Sequence, residues 1–139
     1  MEVRTACSPA DAKYYDTARL RNEFLIDDLF APDEIKLVYS HIDRIITGSA
    51  TPVSKKLILT AGDELRAQYF LERREMGVIN IGAEGIITVD GRDYTVGYKE
   101  GMYIGMGKKD ISFSSKDGKS PAMFYINSAP AHKIGRAHV

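Results

Sequence analysis

The side chains of this 139-residue sequence best suited to chemistry begin with the run Glu72-Arg73-Arg74. Two neighbouring guanidiniums can hold an anionic ligand, because the planar fork of arginine matches a carboxylate through paired hydrogen bonds. The competing reading is a solvated or interdomain ion-pair network on a strand, since charged strand residues usually serve solubility or an interface. His41 stands between Ser40 and Ile42, with Asp43 and Arg44 following. Its imidazole could move a proton or bind a metal. It could equally be a ring hydrogen-bonded on a sheet face. Tyr69 offers a phenol just before the arginine run, and Asp110 a carboxylate beyond a glycine-rich corner. Glu72, Asp110 and His41 could form an acid–base set if the fold brings them together.

Transition-metal chemistry is what the composition argues against. The three histidines are His41, His132 and His138, and Cys7 is the one thiol. A catalytic zinc needs about three protein ligands held close together. The stretch from Tyr69 to Ile81 contains no histidine. Cys7 has no base near it in sequence and lies on an arm expected to be mobile, so it is not read as a nucleophile. The phenylalanines and tyrosines are read as core and subunit-interface filler rather than as a sugar-stacking platform.

The elements that must position these groups are short strands. Apolar residues make up 44% of the chain and charged residues 27%, which suits one compact globular domain. Nineteen basic and nineteen acidic side chains cancel, so no net charge favours nucleic acid or an anionic membrane. Nothing at the amino terminus reads as a secretory signal, and no apolar run approaches the roughly 20 residues of a membrane span. With a single cysteine, a reducing cytoplasm is the expected compartment.

The first 20 residues are weakly patterned and read as an irregular arm, with Thr17 capping a short helical turn that carries Leu20 and Phe24. From residue 35 the period becomes that of strands, with Leu37, Tyr39 and His41 alternating against Val38, Ser40 and Ile42. Residues 56–60 read as a further strand. Residues 86–89 and 94–96 predict a hairpin through Asp90-Gly91, with Ile87 and Val89 facing one way and Thr88 and Asp90 the other. Residues 111–114 and 122–126 complete the series, separated by a turn at Asp117-Gly118. Gly105-Met106-Gly107 has no strand-to-helix junction and is not a nucleotide loop. About eight short strands with turns at this spacing predict an all-β sandwich or barrel.

Several segments together resemble the amino-terminal half of the 5-keto-4-deoxyuronate isomerases, also called 4-deoxy-L-threo-5-hexosulose-uronate ketol-isomerases. They are Leu20-Arg21-Asn22-Glu23-Phe24-Leu25, Val38-Tyr39-Ser40-His41-Ile42-Asp43-Arg44-Ile45, Tyr69-Phe70-Leu71-Glu72-Arg73-Arg74-Glu75, Gly77-Val78-Ile79-Asn80-Ile81-Gly82 and Ala129-Pro130-Ala131-His132. The resemblance implies a cupin-like β-barrel, a jelly-roll sandwich that forms the first half of a two-barrel (bicupin) protein. It implies a zinc-dependent enzyme of uronate and pectin breakdown that interconverts 5-dehydro-4-deoxy-D-glucuronate and 3-deoxy-D-glycero-2,5-hexodiulosonate, assembled as a homohexamer.

By the same resemblance, Tyr69 and Leu71 fall at two histidine positions of metal-binding cupins, Glu75 or Met76 near the glutamate position, and Asp110 near the last ligand position, after a corner spanning 101–107. Tyrosine and leucine cannot replace two neutral imidazoles on zinc. The resemblance further implies that the family's zinc ligands belong to the carboxyl-terminal barrel, which this chain lacks, so none is expected to be bound here, and this half is expected to act as scaffold and to be inactive alone. His41, Arg44, Tyr69, Glu72, Arg73, Arg74 and Asp110 remain candidate contacts to substrate or to the second barrel. The alternative is a metal-free cupin module for sugar binding or assembly. Residues 1–133 are read as the barrel with its arm. Residues 134–139 resemble the in-frame translation of a sequencing adapter and are read as a non-native tail, the alternative being a natural polar one. A chain that stops midway through a two-barrel protein is expected to expose the surface its second barrel would cover.

Overall fold

The structure is a computed structural model that describes residues 1–132. The expected barrel boundary at 133 and the tail 134–139 lie outside the described residues. Strand β1 (Glu2–Arg4), helix α1 (Pro9–Ala12) and helix α2 (Thr17–Phe24) precede β2 (Ile35–Ser40), β3 (Ile46–Ala50) and β4 (Leu57–Ile58). They are followed by β5 (Arg74–Asn80), β6 (Gly85–Val89), β7 (Arg92–Val96), β8 (Gly101–Ile104), β9 (Ile111–Ser115) and β10 (Phe124–Pro130). The strands form a six-stranded sheet in the order β1-β2-β3-β10-β5-β8 and a four-stranded sheet in the order β4-β9-β6-β7. The predicted all-β sandwich is what the chain builds.

Alternation puts the core between the two sheets. On β5, Met76 and Val78 are buried while Gly77 and Ile79 are exposed. On β10, Phe124 and Ile126 turn inward beside them, in register with Asn80 and Val78. From the other sheet come Ile87, Val89, Ile111 and Phe113. Phe113 meets Phe124 with ring centroids 5.3 Å apart, joining the two layers. The predicted hairpin is present as β6 and β7. Asp90 (φ 48°) and Gly91 (φ 81°) both take the left-handed conformation that a two-residue turn of matching twist requires. Ile87 and Val89 face the core, and Asp90 is exposed, as the alternation requires.

Several boundaries differ from the sequence reading. The arm is not irregular throughout, because β1 pairs in parallel with the edge of β2, Val3 opposite Tyr39. Its partner is remote in sequence, and three residues carry no period of their own. Asp16 rather than Thr17 caps α2, its carboxylate accepting the Arg19 N–H at 2.8 Å. Leu20 and Phe24 are exposed, so that helix carries no buried stripe. Strand β2 ends at Ser40, leaving His41 outside it, and the strand expected at 56–60 shortens to Leu57–Ile58. The expected corner at 101–107 begins with a strand, β8, which pairs with β5. The strand expected at 122–126 runs instead from Phe124 to Pro130. There are ten strands among the described residues rather than about eight.

Candidate functional site

The segment that holds most of the candidates is not a strand throughout. Tyr69 to Arg73 lie in turns, and regular pairing starts at Arg74. Phe70 and Leu71 plug the core from that turn, both almost fully buried. Leu71 therefore serves packing at a position where the resemblance places a histidine in metal-binding members. The turn is braced from within. Arg73 donates through Nη2 to the carbonyls of Leu65 (3.1 Å) and Arg66 (3.0 Å), and Glu72 accepts the Gln68 N–H at 3.3 Å.

Arg74 begins β5 on its inward face, where an apolar side chain would be the usual occupant. It is 6% exposed. Nε donates to Ser128 Oγ at 3.0 Å and Nη2 to the Ser128 carbonyl at 3.0 Å. Nη2 also makes a short contact to the Arg44 carbonyl. Ser128 in turn donates its hydroxyl to the Glu75 carbonyl at 2.7 Å, which fixes the acceptor geometry. The guanidinium lies 5.6 Å from the Tyr39 ring centroid. Burial pushes the Arg74 guanidinium below its ordinary value, the Tyr39 phenol works against that, and the nearby Arg44 charge adds to it.

Arg74 forms the floor of a cleft of about 630 Å³ at one end of the sandwich. The turn between β2 and β3, the braced turn 65–73, the Met106 corner and the end of β10 meet there. Of the residues predicted from sequence, Arg44, Glu72, Arg73 and Arg74 line it together. His41, Tyr69 and Asp110 do not. His41 is exposed, one residue past β2, with its ring edge-on to Tyr39 at 5.5 Å. Tyr69 is half-buried, with the Lys109 ammonium 5.8 Å from its ring centroid. Asp110 lies on a separate depression with Lys56, Ile58 and Thr88, held through backbone bonds to Asp90. The fold does not bring Glu72, Asp110 and His41 into one cleft. Tyr39, Glu64, Met106 and His132 also line the Arg74 cleft and were not singled out by sequence reasoning. Glu64 sits in a turn and carries no periodic signal. Tyr39 could have been found from its inward position on β2, opposite Ile46.

Among the described residues, no three His, Cys, Asp or Glu side chains are grouped so as to hold a metal ion. No helix among them is long and apolar enough to cross a membrane.

No protein-family model matches the chain. A 4-deoxy-L-threo-5-hexosulose-uronate ketol-isomerase from Lachnoclostridium phytofermentans is 73% identical over 132 residues, covering 95% of this chain and 48% of that protein. A protein of the same name from Formosa agariphila is 56% identical over 131 residues, covering 94% of this chain and 47% of that protein. The chain thus spans about half the length of the curated relatives it matches. Among solved structures, the cupin_2 domain of an XRE family transcriptional regulator from Enterobacter cloacae superposes with a TM-score of 0.53 at 15% identity, covering 71% of this chain and 97% of that one. An RmlC-like cupin protein from Desulfovibrio desulfuricans gives 0.52 at 13% identity, covering 78% of this chain and 94% of that one. At such identities the likeness is one of fold, and the fold is a cupin jelly roll.

Proposed function

We propose, for a chain that belongs to the 4-deoxy-L-threo-5-hexosulose-uronate ketol-isomerase family and spans about half the length of the relatives it matches, that it forms the amino-terminal barrel of a two-barrel keto-deoxyuronate isomerase. The observation that carries this reading is 73% identity over 95% of the chain to a protein of that name. The reaction is an aldose–ketose type isomerisation of 5-dehydro-4-deoxy-D-glucuronate in uronate and pectin breakdown. A general base moves a proton between adjacent carbons through an enediol. The working enzyme is a cytoplasmic homo-oligomer, a hexamer by family resemblance.

The zinc implied by that resemblance does not fit the donors present in this barrel. Leu71 occupies one expected ligand position and is fully buried. Tyr69 at the other packs under a lysine. We assign the metal to the carboxyl-terminal barrel of the longer protein, and this barrel contributes scaffold, the surface for the second barrel and the arginine cleft.

The test is an isomerase assay on the product of the uninterrupted reading frame and on the 139-residue chain, with the same keto-deoxyuronate and added zinc. Turnover by the longer protein and none by the chain is the expected result. Turnover by the chain alone would overturn the assignment of the chemistry to the other half. An authentic stop codon soon after residue 133 would instead favour the metal-free module.

A further inference from the structure

We propose that the cleft floored by Arg74 is a binding site for a small hydroxylated carboxylate, with Arg44 and Arg74 as the groups that receive its charged end. This site lies within the 139 residues, and its case does not rest on the isomerase reading.

The first observation is an uncompensated charge. Arg74 is nearly fully buried, and its hydrogen-bond acceptors are a hydroxyl and two carbonyls, all neutral. Such dipoles satisfy donors but do not cancel a cation, and a buried charge without a counter-ion is unfavourable. Nη1 makes no hydrogen bond among the described residues. Arg44 joins the same cleft with no ion pair among the described residues, adding a second cation to the first.

The cleft's own carboxylates do not answer that charge. Glu72 accepts from the Gln68 N–H, and Glu64 stands 4.0 Å from the amino terminus of Met1. Neither pairs with Arg44 or Arg74 among the described residues. Their presence selects among anions. A doubly charged phosphate would be repelled by both more strongly than a singly charged carboxylate, and a polyhydroxylated body gives the two glutamates hydroxyl donors to accept. A volume of about 630 Å³ exceeds what an inorganic ion needs and suits a sugar-sized ligand.

The third observation is backbone strain at the cleft wall. Asp43 and Arg44 both have φ 54°, in the tight turn closed by the Ile45 N–H on the Ile42 carbonyl. Asparagine and glycine suit these positions, and a long side chain there is disfavoured. The turn is held in this form by Arg74, which bonds the Arg44 carbonyl. This turn sets the Arg44 side chain at the wall of the cleft that Arg74 floors.

The experiment compares D-galacturonate, D-galactose and inorganic phosphate as ligands of the 139-residue chain, read by calorimetry and by the rise in Tm. Galacturonate should bind more tightly than either of the others, galactose differing by the carboxylate and phosphate by the hydroxylated body. Arg44→Gly relieves the left-handed strain while removing one cation. It should leave Tm unchanged or up to about 3 °C higher, while weakening galacturonate about tenfold. Arg66→Gly is the control, because Arg66 is also left-handed (φ 47°) and exposed but does not line the cleft. It should leave affinity unaltered. Absence of galacturonate binding up to about 10 mM, equal binding of phosphate, or unaltered affinity in Arg44→Gly would each overturn the proposal.

Discussion

Asn80 ties the two sheets together with the whole capacity of its amide. Nδ2 donates to the carbonyls of Ala83 (2.8 Å) and Val96 (2.9 Å), and Oδ1 accepts the N–H groups of Gly82 (2.9 Å) and Met123 (3.2 Å). Asn80→Leu keeps the number and branching of side-chain heavy atoms but adds bulk and leaves four backbone groups, one buried and three partly buried, without their partner, so a loss of about 3 kcal/mol in chemical denaturation is expected. Asp33 is the residue with a readable pH signature. Its carboxylate accepts from the Ser54 hydroxyl (2.6 Å), the Ser54 N–H (2.8 Å) and the Val53 N–H (2.8 Å), which hold it at about 2 against an ordinary 3.8. A depressed carboxyl contributes stability above its unfolded value, and that contribution disappears as pH falls from about 4 towards 2. Tm should therefore fall over that interval, and Asp33→Asn, which tolerates the local φ of 57°, should flatten the fall. An equal fall in the variant would assign the acid sensitivity elsewhere. At this scale the sequence named Arg44, Glu72, Arg73 and Arg74 as candidates, because runs of charge are visible in one dimension. Their partners were not, since Ser128, Tyr39 and the Leu65 carbonyl reach them only through the fold.

The β6–β7 hairpin was the most legible element, because a left-handed turn pair and alternating apolar residues are both local properties. Gly91 has φ 81° and nothing within 4 Å of where a β-carbon would stand. Gly91→Ala should therefore act through the backbone alone, lowering stability by about 1 kcal/mol with no change in the packed core, measurable by urea denaturation. Strand β5 was less legible, since Tyr69-Phe70-Leu71 reads as a strand by residue type. The chain instead bends there to bring Phe70 and Leu71 into the core, and the period of two begins only at Arg74. Likewise β1 exists through pairing with β2, and no window on its own three residues contains that information.

For the whole molecule, an all-β sandwich or barrel followed from strand count and turn spacing and its cupin character from the resemblance, whereas the order of strands in each sheet depends on pairings far apart in sequence. The outward face of the six-stranded sheet carries Ile79 (49% exposed) and Tyr103 (67% exposed), with Ile81 beyond the end of β5 also exposed. For a chain half the length of its relatives, this surface should promote self-association. Sedimentation is expected to show concentration-dependent association that Ile79→Lys reduces without lowering Tm. A clean monomer at all concentrations would count against it. The division of labour between two barrels is tested most directly by elemental analysis of purified protein. The longer gene product should contain zinc in stoichiometric amount, and the 139-residue chain should contain none above the buffer level. Tightly held, stoichiometric zinc in the short chain would contradict the assignment of the metal to the other half.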